Sequence, residues 1–514
     1  MDFRLNRETV PAAEVIFSGT QEQPVELDYI LPDYCPDIFR LVRCEVEPVV
    51  TESAVLGDKL TYELRCTVRI LYSGEDGALQ SIEQVRSFTR SAELGRSAAD
   101  PEVEILPKPG HISFRAVNKR RLDLRGAVSV KLTVTGTRDQ EVISDAFGMN
   151  VQLRKSPVRF AAKKLTASKV TELTEEAQIP EASADVGSIV WSRCTLGPCE
   201  LKLISGKLLA KGDAEVRLLY SGAEPGSVEP MSFSLSYSQI IDMEGVDESY
   251  DCQVSAEVLT CELSPVTDKA GSSRLIRCSL EVRLSCRAVK TSSVMAATDA
   301  YSTVFPCEVT SSEIRAEQIP VLYSETFRHS AVIAEGEAVP ASVYAMWVTP
   351  RNINTRLSED EKGVVITGML TYTAAAKDGS GMLIMPDKDQ AFEVEIPVGE
   401  ELSGAGISAE IVPSQVTYSI SQEGDLTAKA ELSAKISVTP SASVTALTEI
   451  MIDDSTKKER DGDYAIKLYY GAEGEDVWEI AKRCSTSVSA VMEENGLTGE
   501  RLEQGGMLLI PMMI

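Results

Sequence analysis

An internal repeat constrains the fold of this chain more than any other feature of its sequence. A shift of 148 residues aligns Val68–Gly74 with Val216–Gly222, and it also places Leu31-Pro32-Asp33 on Ile179-Pro180-Glu181. One offset therefore aligns two separated motifs without a gap. Self-similarity at a fixed period indicates tandem copies of one structural unit, so residues 1–450 are expected to repeat a single fold.

The later part of each copy repeats as well. Val128–Leu132 aligns with Leu280–Leu284, and Asp145-Ala146-Phe147 aligns with Asp299-Ala300-Tyr301. The similarity therefore extends through the whole of the first two copies.

A third copy is more divergent. Thr367–Tyr372 and Ala430–Val438 occupy the places that correspond to the two strand-like motifs of the earlier copies. We predict three repeats, at residues 1–157, 158–315 and 316–452.

Each repeat has the pattern of β-structure. Lys131–Val134 and Leu432–Val438 alternate apolar with polar residues, as strands with one buried face do. Gly, Asp, Asn and Pro recur at turn spacing between such runs. The predicted fold is therefore mainly β, with three tandem antiparallel sandwiches or barrel-like domains. Their strand edges permit self-association between copies or between chains.

The last fifty or so residues have a different pattern. After a charged linker at residues 453–462, an apolar run at Tyr464–Tyr470 is followed by Asp476 and Glu479, which form a capping box that opens a helix. Ser487 opens a second helix, which Asn495-Gly496 ends. With a last apolar run at Met507–Ile510, residues 463–514 are predicted to form a small α+β module in the order strand, helix, helix, strand.

This module resembles the LysM domain. The matching stretches are Gly474–Ala481, Val488–Leu497 and Gln504–Pro511, in the order of the family signature. Glu475-Asp476 stands where Asp-Thr is usual, and Cys484 stands where Tyr is common. Each piece alone is a weak signal, but the ordered set is specific.

LysM domains usually bind polymers of N-acetylglucosamine in a groove between the loop before the first helix and the loop before the last strand. The resemblance implies a binding groove, for protein or glycan, formed by Gly474, Glu475, Asp476, Val477, Asn495, Gly496 and Leu497. Trp478 follows the first of these loops, and we expect it to pack in the core rather than stack on a ligand.

The charge of the module indicates the class of its partner. Residues 461–514 contain ten acidic and four basic side chains, a net charge of −6. This charge would not repel a neutral sugar polymer, but binding of such a polymer would give no reason for the charge. A basic protein surface would explain it, because complementary potentials speed and orient association.

The composition of the whole chain excludes several other partners. The formal net charge is −27 for 514 residues, which opposes binding of nucleic acid or of an anionic membrane surface. No run of about 18 apolar residues is present, so membrane insertion is not expected. Residues 1–10 lack the apolar core of a signal peptide, so a cytoplasmic location is expected.

The sequence contains no pattern typical of an enzyme. The chain has eleven cysteines without a Cys-x-x-Cys pair and two histidines, His111 and His329, that are far apart. A metal site, a cofactor site and catalytic residues are therefore not expected. Most cysteines lie in strand-like runs, where a free thiol acts as a small buried hydrophobe.

The order of the domains carries a second resemblance. Three β repeats with a Leu-Pro-x-x-x-x-Asp-Ile type motif, followed by one LysM module, are similar to the spore morphogenetic proteins of clostridial spore formers that are built from SPOCS domains. That resemblance implies a place in the mother-cell cytoplasm at the forespore surface and spore coat. It also implies a LysM domain that binds the basement-layer ATPase of the coat, stage IV sporulation protein A.

We therefore predict a non-enzymatic scaffold for assembly of the spore coat, with a coat morphogenetic protein as partner. The alternative is a protein of the cell wall or spore cortex that binds peptidoglycan or a chitin-like glycan. A cytosolic protein unrelated to sporulation is a third interpretation.

Overall fold

A computed structural model describes residues 3–97, 99–204, 206–222, 227–267, 271–316, 318–336, 339–399, 402–421, 425–440, 443–459 and 464–512. The described chain consists mainly of antiparallel β-strands, and two short helices lie near the C-terminus. The prediction of a mainly β fold that ends in a small α+β module is confirmed.

The first unit is a sandwich of two three-stranded sheets. Its sheets have the strand orders β1-β6-β5 and β2-β3-β4. The strands are β1 (Arg4–Ile30), β2 (Arg40–Leu56), β3 (Lys59–Ser73), β4 (Leu79–Glu93), β5 (Glu102–Asn118) and β6 (Arg121–Phe147).

The second unit repeats this topology with one added short strand. Its sheets are β12-β13-β7 and β11-β10-β8, and β9 pairs with β10. The strands are β7 (Val151–Gln178), β8 (Ser188–Leu196), β9 (Glu200–Ile204), β10 (Lys207–Ser221), β11 (Val228–Asp242), β12 (Tyr250–Val266) and β13 (Leu275–Ser302).

In the third unit, the counterparts of the long strands β7 and β13 are each divided into two strands. Sheets β15-β21-β20 and β16-β17-β18, with β19 on β17, form the sandwich, and β14 pairs with β22 outside it. The strands are β14 (Cys307–Arg315), β15 (Val321–Ala334), β16 (Ser342–Leu357), β17 (Gly363–Lys377), β18 (Leu383–Ile384), β19 (Asp387–Pro397), β20 (Gly406–Ile420), β21 (Leu426–Thr439) and β22 (Ser443–Ile452).

Alternation of side chains explains how each sandwich forms. Along β3, Leu60, Tyr62, Leu64, Cys66 and Val68 are buried, and the residues between them are less buried. Because successive side chains of a strand point to opposite faces, this spacing puts one apolar row between the two sheets. All eleven cysteines are free thiols, and several of them, such as Cys66, belong to these cores.

The first two units extend beyond their sandwiches in paired arms. A bulge between Val15 and Phe17 separates the first arm, residues 4–15 with 135–147, from its sandwich. A bulge between Lys290 and Thr291 does the same for the second arm, residues 151–161 with 291–302. In the third unit, β14 and β22 form the corresponding arm.

The three arms share a core. Buried side chains from all of them pack together in one cluster, which comprises Val10, Val142, Val158, Phe160, Val294, Ala296, Ile314, Ala316 and Ala446. Since no single arm can bury its own apolar face, the three units depend on one another for this part of the fold.

The three sandwiches also contact one another directly. Trp191 of the second unit stacks on Trp347 of the third, with ring centroids 4.2 Å apart, and Leu71 of the first unit belongs to the same cluster. Arg43 of the first unit pairs with Asp387 of the third at 2.9 Å. The repeats therefore form one packed body.

The connections between units do not lie where the predicted boundaries lie. Position 157/158 falls inside β7, and position 315/316 follows the last residue of β14, which pairs with β22 of the third unit. The first connection is the turn at Gly148, Met149 and Asn150, which all have positive φ. The second lies just before Cys307, where β14 begins.

The counterpart of Val68–Gly74 in the third repeat was predicted too early in its strand. Ser73, Ser221 and Lys377 accept the same hydrogen bond at the ends of three 15-residue strands, β3, β10 and β17. Tyr372 therefore corresponds to Val68, and the counterpart of Val68–Gly74 begins at Tyr372 and not at Thr367.

Candidate binding site on the C-terminal module

The terminal module has the predicted order of elements. It consists of β23 (Ile466–Gly471), α1 (Val477–Cys484), α2 (Val488–Asn495) and β24 (Gly506–Pro511), and the two strands pair antiparallel. The linker before it is bonded to the body, because the backbone N–H of Asp453 donates to Pro306 and that of Lys458 to Val304. Linker residues 460–462, together with residues 463, 513 and 514 of the module, lie outside the described residues.

Local sequence signals account for both helices. Asp476 caps α1 by accepting a hydrogen bond from the backbone N–H of Trp478, and Ser487 caps α2 by accepting one from Ala490. Gly496 ends α2 in the left-handed conformation that favours glycine. The predicted helix boundaries at these three residues are confirmed.

The predicted groove residues before α1 form backbone hydrogen bonds with the segment before β24. Gly474 donates its backbone N–H to the carbonyl of Leu502, and Leu502 donates to the carbonyl of Glu475. The backbone N–H of Val477 donates to Glu500, and the Val477 side chain is fully buried. The two loops that were predicted to flank a groove therefore contact each other directly.

The Glu475 carboxylate is held by groups of its own module. It accepts hydrogen bonds from the Tyr469 hydroxyl at 2.6 Å, from Arg483 at 2.9 Å and from the backbone N–H of Ala472 at 3.1 Å. The hydrogen bond from Tyr469, followed by those from Ala472 and Arg483, lowers the pKa of Glu475. This carboxylate braces the loop before α1.

The Asp476 carboxylate is held by the module and by the body. One carboxylate oxygen caps α1, and the other lies 2.9 Å from the Arg154 guanidinium on β7. Its side chain is therefore committed to the helix and to the second unit of the body.

The predicted residues after α2 also have internal roles. The Asn495 side-chain amide donates to the carbonyls of Val491 and Leu509, and its oxygen accepts from the backbone N–H of Leu509 at 2.7 Å. This amide ties the end of α2 to β24. Gly496 and Leu497 cap the helix, since the backbone N–H of Leu497 donates to Met492 at 3.0 Å.

Trp478 is buried at a junction between the module and the body, as expected of a core residue. Its indole N–H donates to the Asp299 carboxylate at 2.7 Å, and Lys482 donates to the same carboxylate at 2.7 Å and 2.8 Å. The ring meets Tyr301 edge-on, with centroids 5.0 Å apart. We call this set, Asp299, Tyr301, Trp478 and Lys482, the junction cluster.

Sequence reasoning missed an exposed apolar face on the outer side of the two strands. Leu468, Tyr470 and Met507 are 63%, 70% and 63% exposed, although each is a large apolar side chain. Leu468 is paired with Leu509 and Tyr470 with Met507 across the strands. We call Ile466, Leu468, Tyr470, Met507 and Leu509 the outer face of the module.

One signal in the sequence could have revealed this face. A half-buried strand alternates apolar with polar residues, but Tyr464–Tyr470 has a polar side chain only at Lys467 among its large residues. Contiguous exposed apolar surface of this kind marks interaction sites. The outer face is therefore the best candidate site of the module.

The middle of the chain carries the likeness to a known family. The segment that starts at Asp185 covers strands β8–β12 of the second unit. Residues 185–266 match the family model of the SipL SPOCS domain. No curated protein and no solved structure matches the chain.

The SPOCS segment begins at a residue with a clear structural role. Asp185 accepts hydrogen bonds from the Arg274 guanidinium at 3.0 Å and from the Ser272 hydroxyl at 2.7 Å. The predicted motif of the first unit has the same arrangement, because Asp37 accepts from Arg120 at 2.8 Å. The Asp of the repeated motif is thus an acceptor that holds the loop before the second sheet.

Two further observations bear on the classes of function. Within the described residues, no helix combines the length and the apolar character needed to cross a membrane. Among the same residues, no three His, Cys, Asp or Glu side chains are grouped in a way that could hold a metal ion.

Proposed function

We propose that this chain is a non-enzymatic scaffold of the spore envelope whose terminal module binds another protein through its outer face. The proposed partner is a basement-layer protein of the coat, of the stage IV sporulation protein A type, at the forespore surface in the mother cell. The SPOCS match supports a role in sporulation, and the domain order supports this partner class.

The outer face is the observation that carries the proposal. Its side chains alternate along β23 and stand opposite one another on β24, so they form one continuous apolar surface. Exposed side chains of this size gain free energy when a partner removes them from water, by about 25 cal/mol for each Å² of apolar area. A protein with an apolar surface of its own can bury all of them at once.

The polar groups of the predicted groove favour a protein partner over a glycan. Glycan binding needs hydrogen-bonding groups that are free to meet sugar hydroxyls. Glu475, Asp476 and Asn495 instead hold the module together or fix it to the body. A sugar polymer would have to displace these bonds before it could bind there.

The net charge of the module is consistent with a basic partner. Two of the four basic side chains in residues 461–514 are already paired, Lys482 with Asp299 and Arg483 with Glu475. Residues 461–514 as a whole carry ten acidic and four basic side chains, a net charge of −6. A partner with Lys and Arg around an apolar surface would be complementary to it.

The test measures binding of the purified full chain to the purified basement-layer ATPase. The variant Leu468→Ser/Tyr470→Ser removes the centre of the outer face and should weaken binding at least tenfold. Leu56→Gln/Val85→Ser removes two exposed apolar side chains of the first unit and serves as the matched control. Wild-type affinity of the Leu468→Ser/Tyr470→Ser variant would overturn the proposal.

A second measurement separates a protein ligand from a glycan ligand. The full chain is incubated with insoluble peptidoglycan and with chitin, and the bound fraction is determined after sedimentation. We expect no retention on either polymer. Retention that survives the Leu468→Ser/Tyr470→Ser change would favour a wall-glycan binder.

In sporulating cells, a fluorescent fusion of the full chain should collect at the forespore surface, and the outer-face variant should remain dispersed. Point variants are the better test here, because deletion of residues 463–514 would also expose Tyr301 of the body.

A further inference from the structure

The loop between β1 and β2 of the first unit, residues 31–39, is held in one conformation by a single arginine. The Arg120 guanidinium donates to the carbonyls of Pro32 at 2.8 Å and of Leu31 and Cys35 at 3.3 Å, and to the Asp37 carboxylate at 2.8 Å. Four acceptors on one planar donor leave this loop, here called the end loop, little freedom.

The second unit builds the same loop in the same way. Arg274 donates to the carbonyls of Pro180 at 2.7 Å and Ser183 at 3.1 Å, and to Asp185 at 3.0 Å. The two loops can therefore be compared directly, because their backbones are held in the same way but their exposed side chains differ.

The outward side chains of the two loops differ in kind. Ile30, which ends β1 directly before the end loop, is 69% exposed, and Tyr34 and Phe39 of the loop are 87% and 59% exposed. At the offset of 148 residues, the second unit has Gln178, Ala182 and Gly187, which are also exposed. Since the second loop keeps its shape without large apolar residues, those of the first are not needed for folding and point to an interaction.

The charges around the end loop are of both signs. Lys119 pairs with Glu75, and Arg121 pairs with Asp28, and all four side chains are about half exposed or more. If the charged residues around a surface all have one sign, two copies of that surface repel each other. If both signs are present, each charge can meet an opposite charge of the second copy across a twofold axis. The acidic terminal module lacks this property, so the two surfaces suit different partners.

We infer that the end loop is a self-association surface, on which Ile30, Tyr34 and Phe39 of one copy meet the same residues of a second copy. The inference is independent of the proposed function, because it involves the first unit and not the terminal module. A loop whose backbone is already held loses little backbone entropy on association, which favours a specific contact.

The experiment is sedimentation velocity of the full chain over a range of concentrations. The variant Ile30→Gln/Tyr34→Ala/Phe39→Gly installs the residues that the second unit tolerates on the same loop. We expect the wild type to form a dimer and the variant to dimerise at least tenfold more weakly. Equal thermal unfolding midpoints would verify that the variant is folded.

Two controls locate the effect. Leu56→Gln/Val85→Ser removes other exposed apolar side chains of the first unit and should leave the dimer unchanged. The outer-face variant Leu468→Ser/Tyr470→Ser should also leave it unchanged. A wild type that stays monomeric at every concentration, or an end-loop variant that dimerises as the wild type does, overturns the inference.

The contact itself is tested with a photo-crosslinking phenylalanine derivative at position 34. A crosslink between copies that maps to residues 28–40 or 119–121 supports the twofold contact. A crosslink only to another part of the second copy overturns it.

Discussion

Asp299 and Trp478 are 179 residues apart in the chain, and a hydrogen bond of 2.7 Å joins them across the boundary between the body and the terminal module. The same carboxylate accepts from Lys482, and the ring of Trp478 packs on Tyr301 two residues further along β13. Asp299, together with the Asp476–Arg154 ion pair, therefore orients the module relative to the three repeats. The module meets the body through α1, and the side chains of the outer face remain exposed.

Asp299→Ala should loosen the module. The change leaves a buried indole N–H and an ammonium group without their acceptor, which typically costs about 1–3 kcal/mol. We expect faster hydrogen exchange across α1 and a lower midpoint for the first thermal unfolding transition.

Asp145→Ala is the matched control for this change. Asp145 occupies the same place on the first arm, and each of the two carboxylates accepts from the backbone N–H of the next alanine. Its ion-pair partner is Lys155 of the second arm, at 3.0 Å. Hydrogen exchange of α1 in this variant should equal that of the wild type; an equal acceleration in both variants would contradict the role given to Asp299.

Arg120→Ala should open the end loop without unfolding the first unit. The change removes the donor for three backbone carbonyls and for Asp37, while Leu31 and Ile38 keep their places in the core. Hydrogen exchange of residues 31–38 should accelerate, and exchange of β3 should not.

Arg274→Ala gives the same measurement in the second unit. It should affect residues 179–186 alone. A global loss of protection in either variant would mean that the arginine supports the sandwich and not only the loop.

His329 should make the third unit less stable in mild acid. Burial lowers the pKa of His329 below the usual value of 6.5, and its Nδ1 lies 2.8 Å from the hydroxyl of Tyr372, whose pKa burial raises to about 12. The unfolded chain therefore takes up a proton at a higher pH than the folded chain does. Stability present at pH 7.5 should be lost as the pH falls through 6.5 towards the folded pKa.

The measurement compares unfolding midpoints at pH 7.5 and pH 5.5. His329→Gln, which keeps a polar side chain beside Tyr372, should remove most of the difference. His111→Gln changes the only other histidine of the sequence and should keep it. The same pH difference in both variants would assign the effect to carboxylates instead.

Short-range features of this fold are predictable from sequence. Asp476, Ser487 and Gly496 were identified as helix ends because a cap is decided within about four residues of itself. The alternation that buries Leu60, Tyr62 and Leu64 is equally local. The repeat offset of 148 residues was recognisable because β3 and β10 have the same length and the same spacing from the preceding loop.

Long-range features were not predictable in this way. The junction cluster joins β13 to α1, and no periodicity links Asp299 to Trp478. The predicted groove named Glu475 and Asn495 by family pattern, but their side-chain partners, Tyr469 and Leu509, depend on how the module packs. The outer face was missed because a nearly continuous apolar run looks like a buried strand until its neighbours are known.

The two stacked tryptophans should respond differently to the same substitution. Trp191 donates its indole N–H to Glu45 of the first unit at 3.2 Å, whereas the buried indole N–H of Trp347 has no hydrogen-bond partner among the described residues. Trp191→Phe therefore loses a bond between units, worth about 1 kcal/mol, but Trp347→Phe removes an unsatisfied donor. Both lose the same amount of ring surface, so Trp191→Phe should be the more destabilising in urea unfolding. Each should abolish the circular-dichroism couplet of the stacked indoles, and Trp478→Phe should retain it; equal stability of the two variants would mean that the Glu45 bond contributes nothing to the contact between units.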